Sequence, residues 1–392
     1  MGRSGIRIVA ALAAVASVLS LTAAPTEAAP AARPRTVVVP RDYPTIQQAI
    51  DAVPAGSTVA VRPGTYVEEL VIDKDLALVG DGQRSVVRAP ATLTPFAVHE
   101  PDGRALTAIV RVGGGAHVRM SGFTVTGPIP CGIEVTGVQV LEGATLALTG
   151  SHVTRIQANP SSCAADDAAG RAIVYGLPAH IVLDGQVGSP AYGVVAGVWV
   201  DRYQHAGVSV AGPASGAISK VSVVGNLIVG GWTLPSFQYG VDVEDGASAT
   251  VVGNRIVGNT CGAAFCGPDP ISQGQGDGVI VAAVRGPVEI SRNSLSANDV
   301  GIYQVVAAGC CRIAGNQLDR NRFFGIVIQD GDGRTSGNVI RGGQVGIGVV
   351  ADFIDTTAVL AGDRITGTSA APVKEIDCCG ATAHAVVVPG HP

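Results

Sequence analysis

The chain has 392 residues, of which 47% are hydrophobic, 4% aromatic and 15% charged, and its formal net charge is −5. Lysine occurs only as Lys74, Lys220 and Lys374. The absence of a basic stripe argues against a nucleic-acid partner and against binding to anionic membranes. The length would allow two or three ordinary domains, whereas the low aromatic content indicates a narrow aliphatic core.

The first residues have the pattern of an export signal. Arg3 and Arg7 precede an apolar run at 8–21, and small residues follow at 24–29. The run is shorter than the ~20 residues that a membrane-spanning helix needs. We therefore predict a cleaved signal peptide over 1–29, a leader over 30–36, a secreted mature chain and no membrane span in it.

The segment 37–80 is predicted to start with one amphipathic helix. Thr45 is a suitable N-cap, apolar residues recur at helical spacing up to Val53, and Pro54 ends the helix. Strands are expected at 59–62, 70–72 and 76–79. A one-sided helix beside stacked strands would cap the open apolar end of the stack.

A nine-residue unit with asparagine in its fourth place and a branched apolar residue in its sixth recurs from residue 223 onward. The fourth residues are Asn226, Asn254, Asn293, Asn316, Asn338 and finally Asp363. A short repeat of about 20–25 residues, lengthened by occasional insertions, is typical of a β-solenoid. Because coils lie ~4.8 Å apart, inward asparagines can hydrogen-bond along the stack.

Two further patterns keep the same phase. Weaker copies of the unit at 120–128 and 148–156 have Phe123 and Ser151 in the asparagine place. A glycine followed by valine or isoleucine recurs at Gly207, Gly240, Gly278, Gly301, Gly325 and Gly346. Such glycines suit bends that need a positive φ or a close backbone approach. We predict one all-β domain over 37–392, a parallel β-helix ending near Thr366 and followed by a tail.

The run from Asp42 to Gly80 resembles the opening of right-handed parallel β-helix proteins of the pectin-lyase-like superfamily. Its segment at 63–69, PGTYVEE, is similar to the start of pectin methylesterases. With the asparagine repeats, the resemblance covers nearly all of the mature chain. It implies right-handed coils but no single chemistry, because the superfamily holds lyases, hydrolases, esterases, epimerases and proteins with no known activity. The downstream glutamine and tandem-aspartate motifs of the esterases are not recognisable here.

The eight cysteines and two polar insertions are predicted to belong together. An even cysteine count behind an export signal predicts disulfides, and no Cys-x-x-Cys spacing favours zinc. The insertions at 157–170 and 260–276 are expected to wall one groove. The sequence leaves the connectivity open. Cys261 and Cys266 can close the second insertion, Cys131 and Cys163 can tie the first insertion to its coil, and the pairs Cys310-Cys311 and Cys378-Cys379 can join the last coils to the tail.

Titratable groups collect near the bend glycines of the central coils. The residue two places after each glycine is expected on the outer face, in one exposed column: Glu134, Ser209, Asp242, Ile280, Tyr303 and Val327. Candidate catalytic residues in and near it are Asp201, His205, Asp242, Glu244 and Asp277. Candidate substrate-binding residues are Arg202, Tyr203, Trp232, Gln238, Tyr239 and Tyr303.

These residue types allow more than one chemistry. Stacked carboxyl groups about 5–10 Å apart can share acid and base roles on a glycosidic bond. They can also bind calcium, which would neutralise a uronate while Arg202 or His205 acts as base. Single aspartates beside glycine are more often turn residues, and aromatic side chains pack inside folds as readily as they stack on sugars.

Two functions therefore remain open from the sequence. One is a secreted enzyme acting on a polysaccharide, a lyase or glycoside hydrolase of acidic glycans. The other is a non-catalytic extracellular solenoid that binds glycan or cell-envelope partners. The sequence fixes neither the substrate, nor the metal, nor the oligomeric state.

Overall fold

Three sheets build residues 34–392, and most coils contribute one strand to each sheet. The computed structural model describes residues 33–99, 103–158, 170–183, 186–231, 237–262, 266, 275–307, 309–378 and 382–390. The predicted signal peptide and Trp232 lie outside the described residues, as does most of each insertion. In the described part the helical element is Ile46–Ala52.

The strands fall into the three sheets in coil order. Sheet 1 contains Thr36–Val39, Ser57–Val61, Leu76–Val79, His117–Ser121, Thr145–Thr149, Tyr192–Ala196, Ser219–Val224, Ala247–Val252, Val288–Ser291, Cys311–Ala314, Asp332–Ser336, Thr356–Ala361 and Ala385–Pro389. Sheet 2 contains Gly64–Val67, Ser85–Arg88, Phe123–Thr126, His152–Thr154, Trp199–Asp201, Leu227–Val229, Arg255–Val257, Ser294–Ser296, Gln317–Asp319, Val339–Arg341 and Arg364–Thr366. Sheet 3 contains Leu70–Ile72, Ala97–His99, Ala105–Val112, Glu134–Val140, Gly170–Tyr175, Leu177–Leu183, Gln186–Ser189, Ala206–Val210, Tyr239–Glu244, Asp277–Ala282, Val300–Val305, Phe324–Gln329, Val345–Ala351 and Ala371–Asp377.

The pairing confirms a parallel β-helix. Strands of successive coils pair in parallel throughout sheets 1 and 2. Sheet 3 adds antiparallel pairs where Leu177–Leu183 meets Gln186–Ser189 and Ala97–His99. The coils continue beyond Thr366, since Ala371–Asp377 and Ala385–Pro389 pair in parallel with the preceding coil. The predicted tail is therefore largely part of the coils.

The asparagines of the repeat form a buried ladder, as predicted. Each backbone N–H and side-chain Nδ2 donates to the Oδ1 of the next member at 2.7–3.0 Å, from Asn226 to Asp363. Each Nδ2 also donates to a backbone carbonyl; Asn316, for example, reaches Ile290 at 2.9 Å. The last member only accepts, which explains why an aspartate can end the ladder.

A second ladder was not predicted. It lies at the next turn of each coil and consists of Asn259, Asn298 and Asn321. The side-chain Nδ2 and backbone N–H of one asparagine again donate to the Oδ1 of the next. The hydroxyl of Tyr203 donates to Asn259 at the start of this ladder. All three asparagines occupy the ninth place of the repeat unit, and this recurrence in the sequence could have predicted the second ladder.

The terminal helix is capped as predicted. Thr45 Oγ1 accepts from the backbone N–H of Gln48 at 3.2 Å. The two carboxylate oxygens of Glu68 accept from the N–H groups of Ile46 and Gln47, both at 3.0 Å. Because a helix N-terminus favours negative charge, Glu68 of the PGTYVEE segment has a structural role here.

The bend glycines are required by close approach rather than by a positive φ. A Cβ on Gly240 would lie 2.4 Å from Ile256 Cγ2 and 2.5 Å from the carbonyl oxygen of Gly278. A Cβ on Gly301 would lie 2.5 Å from the carbonyl oxygen of Gly325. Stacked glycines thus let each strand bend against the next coil.

The cysteines of the described residues are all oxidised, partly in the predicted pairs. Cys261 and Cys266 are bonded with Cα atoms 5.8 Å apart, as predicted. Cys310 and Cys311 are bonded to each other, so the prediction that they tie the last coils to the tail is wrong. Cys131 and Cys378 are also disulfide-bonded, whereas Cys163 and Cys379 lie outside the described residues.

Candidate functional site

The predicted outward column exists on the outer face of sheet 3, with one error. Ser209, Asp242, Ile280, Tyr303 and Val327 are in register on successive coils. Glu134 is not in this column; Gln139 stands there instead. The bend glycine of that strand is Gly137, and counting from Gly132 selected the wrong residue.

A neighbouring column brings Arg171 into the same region. Arg171, Ala206, Tyr239 and Asp277 are in register on successive coils. Glu244 follows Asp242 by two places, and side chains at that spacing share a face of a strand. We define the sheet 3 cluster as Glu134, Arg171, His205, Tyr239, Asp242, Glu244 and Asp277.

Arg171 is the central cation of the sheet 3 cluster, and sequence reasoning missed it. Its Nε lies 3.3 Å from Glu134 Oε1, and its Nη1 lies 3.5 Å from Glu244 Oε1. Only 16% of the Arg171 side chain is exposed. The three residues come from separate coils, so nothing in their linear spacing suggests the contact.

Asp242 is buried rather than exposed, and it holds its proton unusually tightly. Only 5% of the residue is accessible, and Ser209 Oγ donates to its Oδ2 at 3.3 Å. Burial, and then the charge of Glu244, raise the pKa of Asp242 to about 8, whereas Arg171 opposes the shift. A carboxyl group in this state can donate a proton near neutral pH.

Asp277 is fully buried in the same face. Neither of its carboxylate oxygens accepts a hydrogen bond that meets normal geometry, although the Gln275 side chain favours the ionised form. Burial, and then the charges of Asp299 and Asp242, raise the pKa of Asp277 well above its usual range. Asp299 is held by the N–H groups of Cys261 and Gly276, at 2.7 and 3.1 Å.

His205 enters the sheet 3 cluster as a neutral imidazole. Its Nδ1 lies 3.1 Å from the carbonyl oxygen of Phe237, and its ring meets Tyr239 edge to face with centroids 5.2 Å apart. Burial, and then the charge of Arg171, lower the pKa of His205 to about 3. A neutral imidazole cannot balance an anion, and with its pKa lowered this far His205 is a weak base near neutral pH.

Asp201 and Arg202 belong to another face. Asp201 ends a strand of sheet 2, where it lies 3.3 Å from His152 Nε2 and 3.2 Å from Arg202 Nε. The His152 ring stacks on Trp199 with centroids 4.1 Å apart. The contacts of Asp201 are therefore with sheet 2, so the structure does not bring it into the sheet 3 cluster as predicted.

Three predicted substrate-binding residues have structural contacts instead. Tyr203 is fully buried at the start of the second ladder. Gln238 is 2% exposed, accepting from Gly231 N–H at 2.9 Å and donating to the carbonyl of Tyr203 at 3.0 Å. The Tyr303 hydroxyl donates to Gln329. Buried side chains with satisfied hydrogen bonds cannot meet a ligand without moving.

The space beside the sheet 3 cluster is small. A cavity of about 50 Å³ adjoins Glu134 and Arg171, with His99, Gln139 and Pro178 among its lining residues. That volume suits one or two water molecules. A larger groove of about 450 Å³ lies on sheet 1, between Cys311 and Val359, and contains none of the predicted site residues.

Neither metal ligation nor a membrane span is evident in the part of the chain that the structure describes. No three His, Cys, Asp or Glu side chains group closely enough there to hold a metal ion. No helix among those residues is long and apolar enough to cross a membrane.

The comparisons with known proteins agree with this architecture. Residues 194–360 match the family model described as right handed beta helix region. No curated protein matches the sequence. Among solved structures, a family GH136 lacto-N-biosidase from Eubacterium ramulus aligns over 85% of this chain and 62% of its own, with a TM-score of 0.55 and 10% identity.

Two further structures are similar over most of this chain. The Dettilon tailspike protein aligns over 87% of this chain and 68% of its own, with a TM-score of 0.51 and 14% identity. A family 28 exopolygalacturonase from Yersinia enterocolitica aligns over 91% of this chain and 78% of its own, with a TM-score of 0.50 and 10% identity. The chain thus spans about three fifths of the lacto-N-biosidase.

The coils, the family match and these neighbours define the class of protein. The chain is a right-handed parallel β-helix repeat protein. Identities of 10–14% establish the fold alone.

Proposed function

We propose that this protein is exported and hydrolyses a glycosidic bond at the sheet 3 cluster. The observation that carries the proposal is the pair Asp242 and Glu244 on one strand face. Residues two places apart in a strand have side chains on the same face, and glycosidases use two carboxyl groups that flank the same bond. The oxidised cysteines and the glycan-acting β-helix neighbours support it.

The two carboxyl groups have different surroundings, which suits a division of roles. Asp242, with its raised pKa, would protonate the leaving oxygen. Glu244, 3.5 Å from Arg171, would act as the carboxylate that activates water or attacks the sugar. Tyr239 and His205 would orient the sugar.

The test is the release of reducing ends by the purified mature protein from pectate, alginate, glycosaminoglycans and neutral glycans. Asp242→Asn and Glu244→Gln should each lower turnover at least 100-fold on any substrate that is cleaved. Asp332→Asn, an exposed acid on sheet 1, is the matched control and should leave turnover unchanged. Equal losses in all three variants, or none in the first two, would contradict the proposal.

Calcium remains a hypothesis that the same assay tests. Hydrolysis by two carboxyl groups needs no cation, so turnover should be equal with calcium and with a chelator. Turnover that requires calcium and forms an unsaturated product would instead favour elimination on a uronate.

The burial of the acids favours a second candidate, a non-catalytic glycan-binding solenoid. Asp242 is 5% exposed and Asp277 is not exposed at all, so neither is open to a reacting bond in this conformation. In that case the assay would find glycan binding without release of reducing ends, and Glu244→Gln would weaken binding only.

A further inference from the structure

We infer that the outer face of sheet 1 binds a polyuronate, a polysaccharide with one carboxylate on each sugar, lengthwise along the coils. This surface is separate from the sheet 3 cluster, and the inference does not depend on the proposed function. It is based on two grooves, on the unpaired cations that lie in and between them, and on the state of the nearby acids.

Two grooves lie on the outer face of sheet 1, far apart along the stack of coils. The first has a volume of about 430 Å³ and is lined in part by Arg119 and Thr145. The second is the groove of about 450 Å³, lined in part by Arg334 and Thr357. Ligand pockets typically have volumes of ~300–1,000 Å³, so each groove has room for part of a sugar chain.

Each groove contains an arginine without an intramolecular partner. Arg119 and Arg334 are exposed, and neither makes an ion pair or a side-chain hydrogen bond with a residue in the described part of the chain. Lys220 is also exposed, has no such partner there, and lies between the two arginines on the same face. A free guanidinium group can bind a carboxylate through two parallel hydrogen bonds, so the grooves suit a ligand that carries carboxylates.

The strand register aligns the three cations along the coils. Lys220 is two places before Ser222 in its strand, so the two side chains share a face. Arg119 lies three coils from Ser222, or ~14 Å, and Arg334 lies four coils beyond it, or ~19 Å. The outward column that links them is Arg119, Ala147, Val194, Ser222, Thr250, Glu289, Arg312 and Arg334.

The acids near this path are engaged by other groups, with one exception. Asp75, at the first groove, lies 3.5 Å from His117 Nδ1 and accepts from the His117 backbone N–H at 2.7 Å. Glu289 lies 3.6 Å from Arg312. The exception is Asp332 at the second groove. Three unpaired cations therefore stand against one acid on this face, although the whole chain has a formal net charge of −5.

The spacing of the cations favours a polyuronate over a more densely charged polymer. Gaps of ~14 and ~19 Å exceed the Debye length of ~8 Å at physiological salt, so each cation acts alone. A nucleic acid is bound by clustered cations that contact many phosphates, whereas a chain with one carboxylate per sugar can meet isolated cations. The hydroxyl groups of Thr145 and Thr357 can exchange hydrogen bonds with sugar hydroxyls in the two grooves.

The experiment measures binding of the purified mature protein to immobilised pectate and alginate, in a chelator, at 0.05 and 0.5 M NaCl. The uncharged counterpart of each polymer is its fully esterified form. At least one polyuronate should bind at low salt, at least 10-fold more tightly than its esterified form, and its affinity should fall at least fivefold at high salt. Failure of both polyuronates to bind, or binding that ignores salt and esterification, would overturn the inference.

Variants that remove single charges locate the binding surface. Arg119→Gln, Lys220→Gln and Arg334→Gln should each weaken polyuronate binding at least threefold, and the triple variant at least 20-fold. Arg255→Gln removes an exposed charge from sheet 2 and is the matched control, which should leave binding unchanged. Because all four side chains are exposed, each variant should keep the urea midpoint of the wild type. A loss in the control equal to the losses in the sheet 1 variants would overturn the inference.

The outcomes separate this inference from the proposed function, because turnover is measured independently of binding. Polyuronate binding that the triple variant loses, with no release of reducing ends from any glycan, supports this inference and contradicts the proposed function. Glycan turnover with polyuronate binding that the triple variant retains does the reverse. Tighter binding of single-stranded DNA than of either polyuronate, lost in the triple variant, would assign the face to a nucleic acid and overturn the inference.

Discussion

Replacing Asn316 by leucine should destabilise the coils by ~2–5 kcal/mol. The change removes an oxygen that accepts from the backbone N–H and the Nδ2 of Asn293, both at 3.0 Å, and an Nδ2 that donates to Ile290 at 2.9 Å. Three buried groups lose a partner, although Asn293 Nδ2 keeps the Val251 carbonyl at 2.8 Å, and each group left unsatisfied costs about 1–3 kcal/mol. The added apolar side chain and local relaxation offset part of that sum.

The assay has to respect the repeat architecture, because unfolding of a long solenoid need not be two-state. Urea unfolding followed by circular dichroism gives the overall midpoint, and native-state hydrogen exchange at 290–340 reports the local loss. Gln317→Leu is the matched control, since Gln317 is the exposed neighbour on the outer face of sheet 2. If the two variants differ by less than ~0.5 kcal/mol, the ladder does not stabilise the coils as argued.

Three other predictions concern charge and thiols. Asp242→Asn should flatten the pH dependence of stability. The pKa of Asp242 is about 8 in the folded state and about 3.9 when unfolded, so the wild type loses up to ~5 kcal/mol of folding free energy between pH 4 and 8. The variant should therefore be more stable than the wild type in urea at pH 8 and similarly stable at pH 4. Arg171→Met should destabilise by ~3–5 kcal/mol at pH 8, because buried Glu134 and half-buried Glu244 lose their cation. Arg202→Met, with 45% of its side chain exposed, should cost under 1 kcal/mol. Equal losses in the two variants would contradict the role of Arg171. Thiol titration of denatured, unreduced secreted protein should find close to none, whereas several free thiols would refute the predicted oxidation.

The features that repeat were predictable from the sequence. Asn226 to Asp363 mark the same point of each coil, so one geometric argument places all of them. The glycine phase likewise fixed the register of Ser209, Asp242 and Tyr303. A repeat supplies its own redundancy, because a wrong register would have to be wrong in every coil.

Contacts that do not recur from coil to coil could not be predicted from the sequence in this way. Arg171 meets Glu134 and Glu244 only after the chain has completed coils of unequal length, and no spacing rule links those positions. The residues of the outward column were also expected to be exposed because they point away from the coil interior. Asp242 does point out of the coil, yet it is 5% accessible. A change at Asp242 is therefore expected to affect stability, which a change at an exposed acid would not do.

The contrast between the asparagine ladder and the sheet 3 cluster bears on function. The ladder satisfies its donors and acceptors and stabilises the coils, whereas the cluster buries Asp242 and Asp277 at the expense of stability above pH 4. Replacing buried ionic groups by neutral ones is often neutral or stabilising, so packing alone gives no reason for these acids. Sites that sacrifice stability for a shifted pKa are characteristic of function. Asp242→Asn therefore decides between the explanations: a variant that gains stability and loses activity on a glycan supports a functional site, and one that gains stability with glycan activity intact removes Asp242 from it.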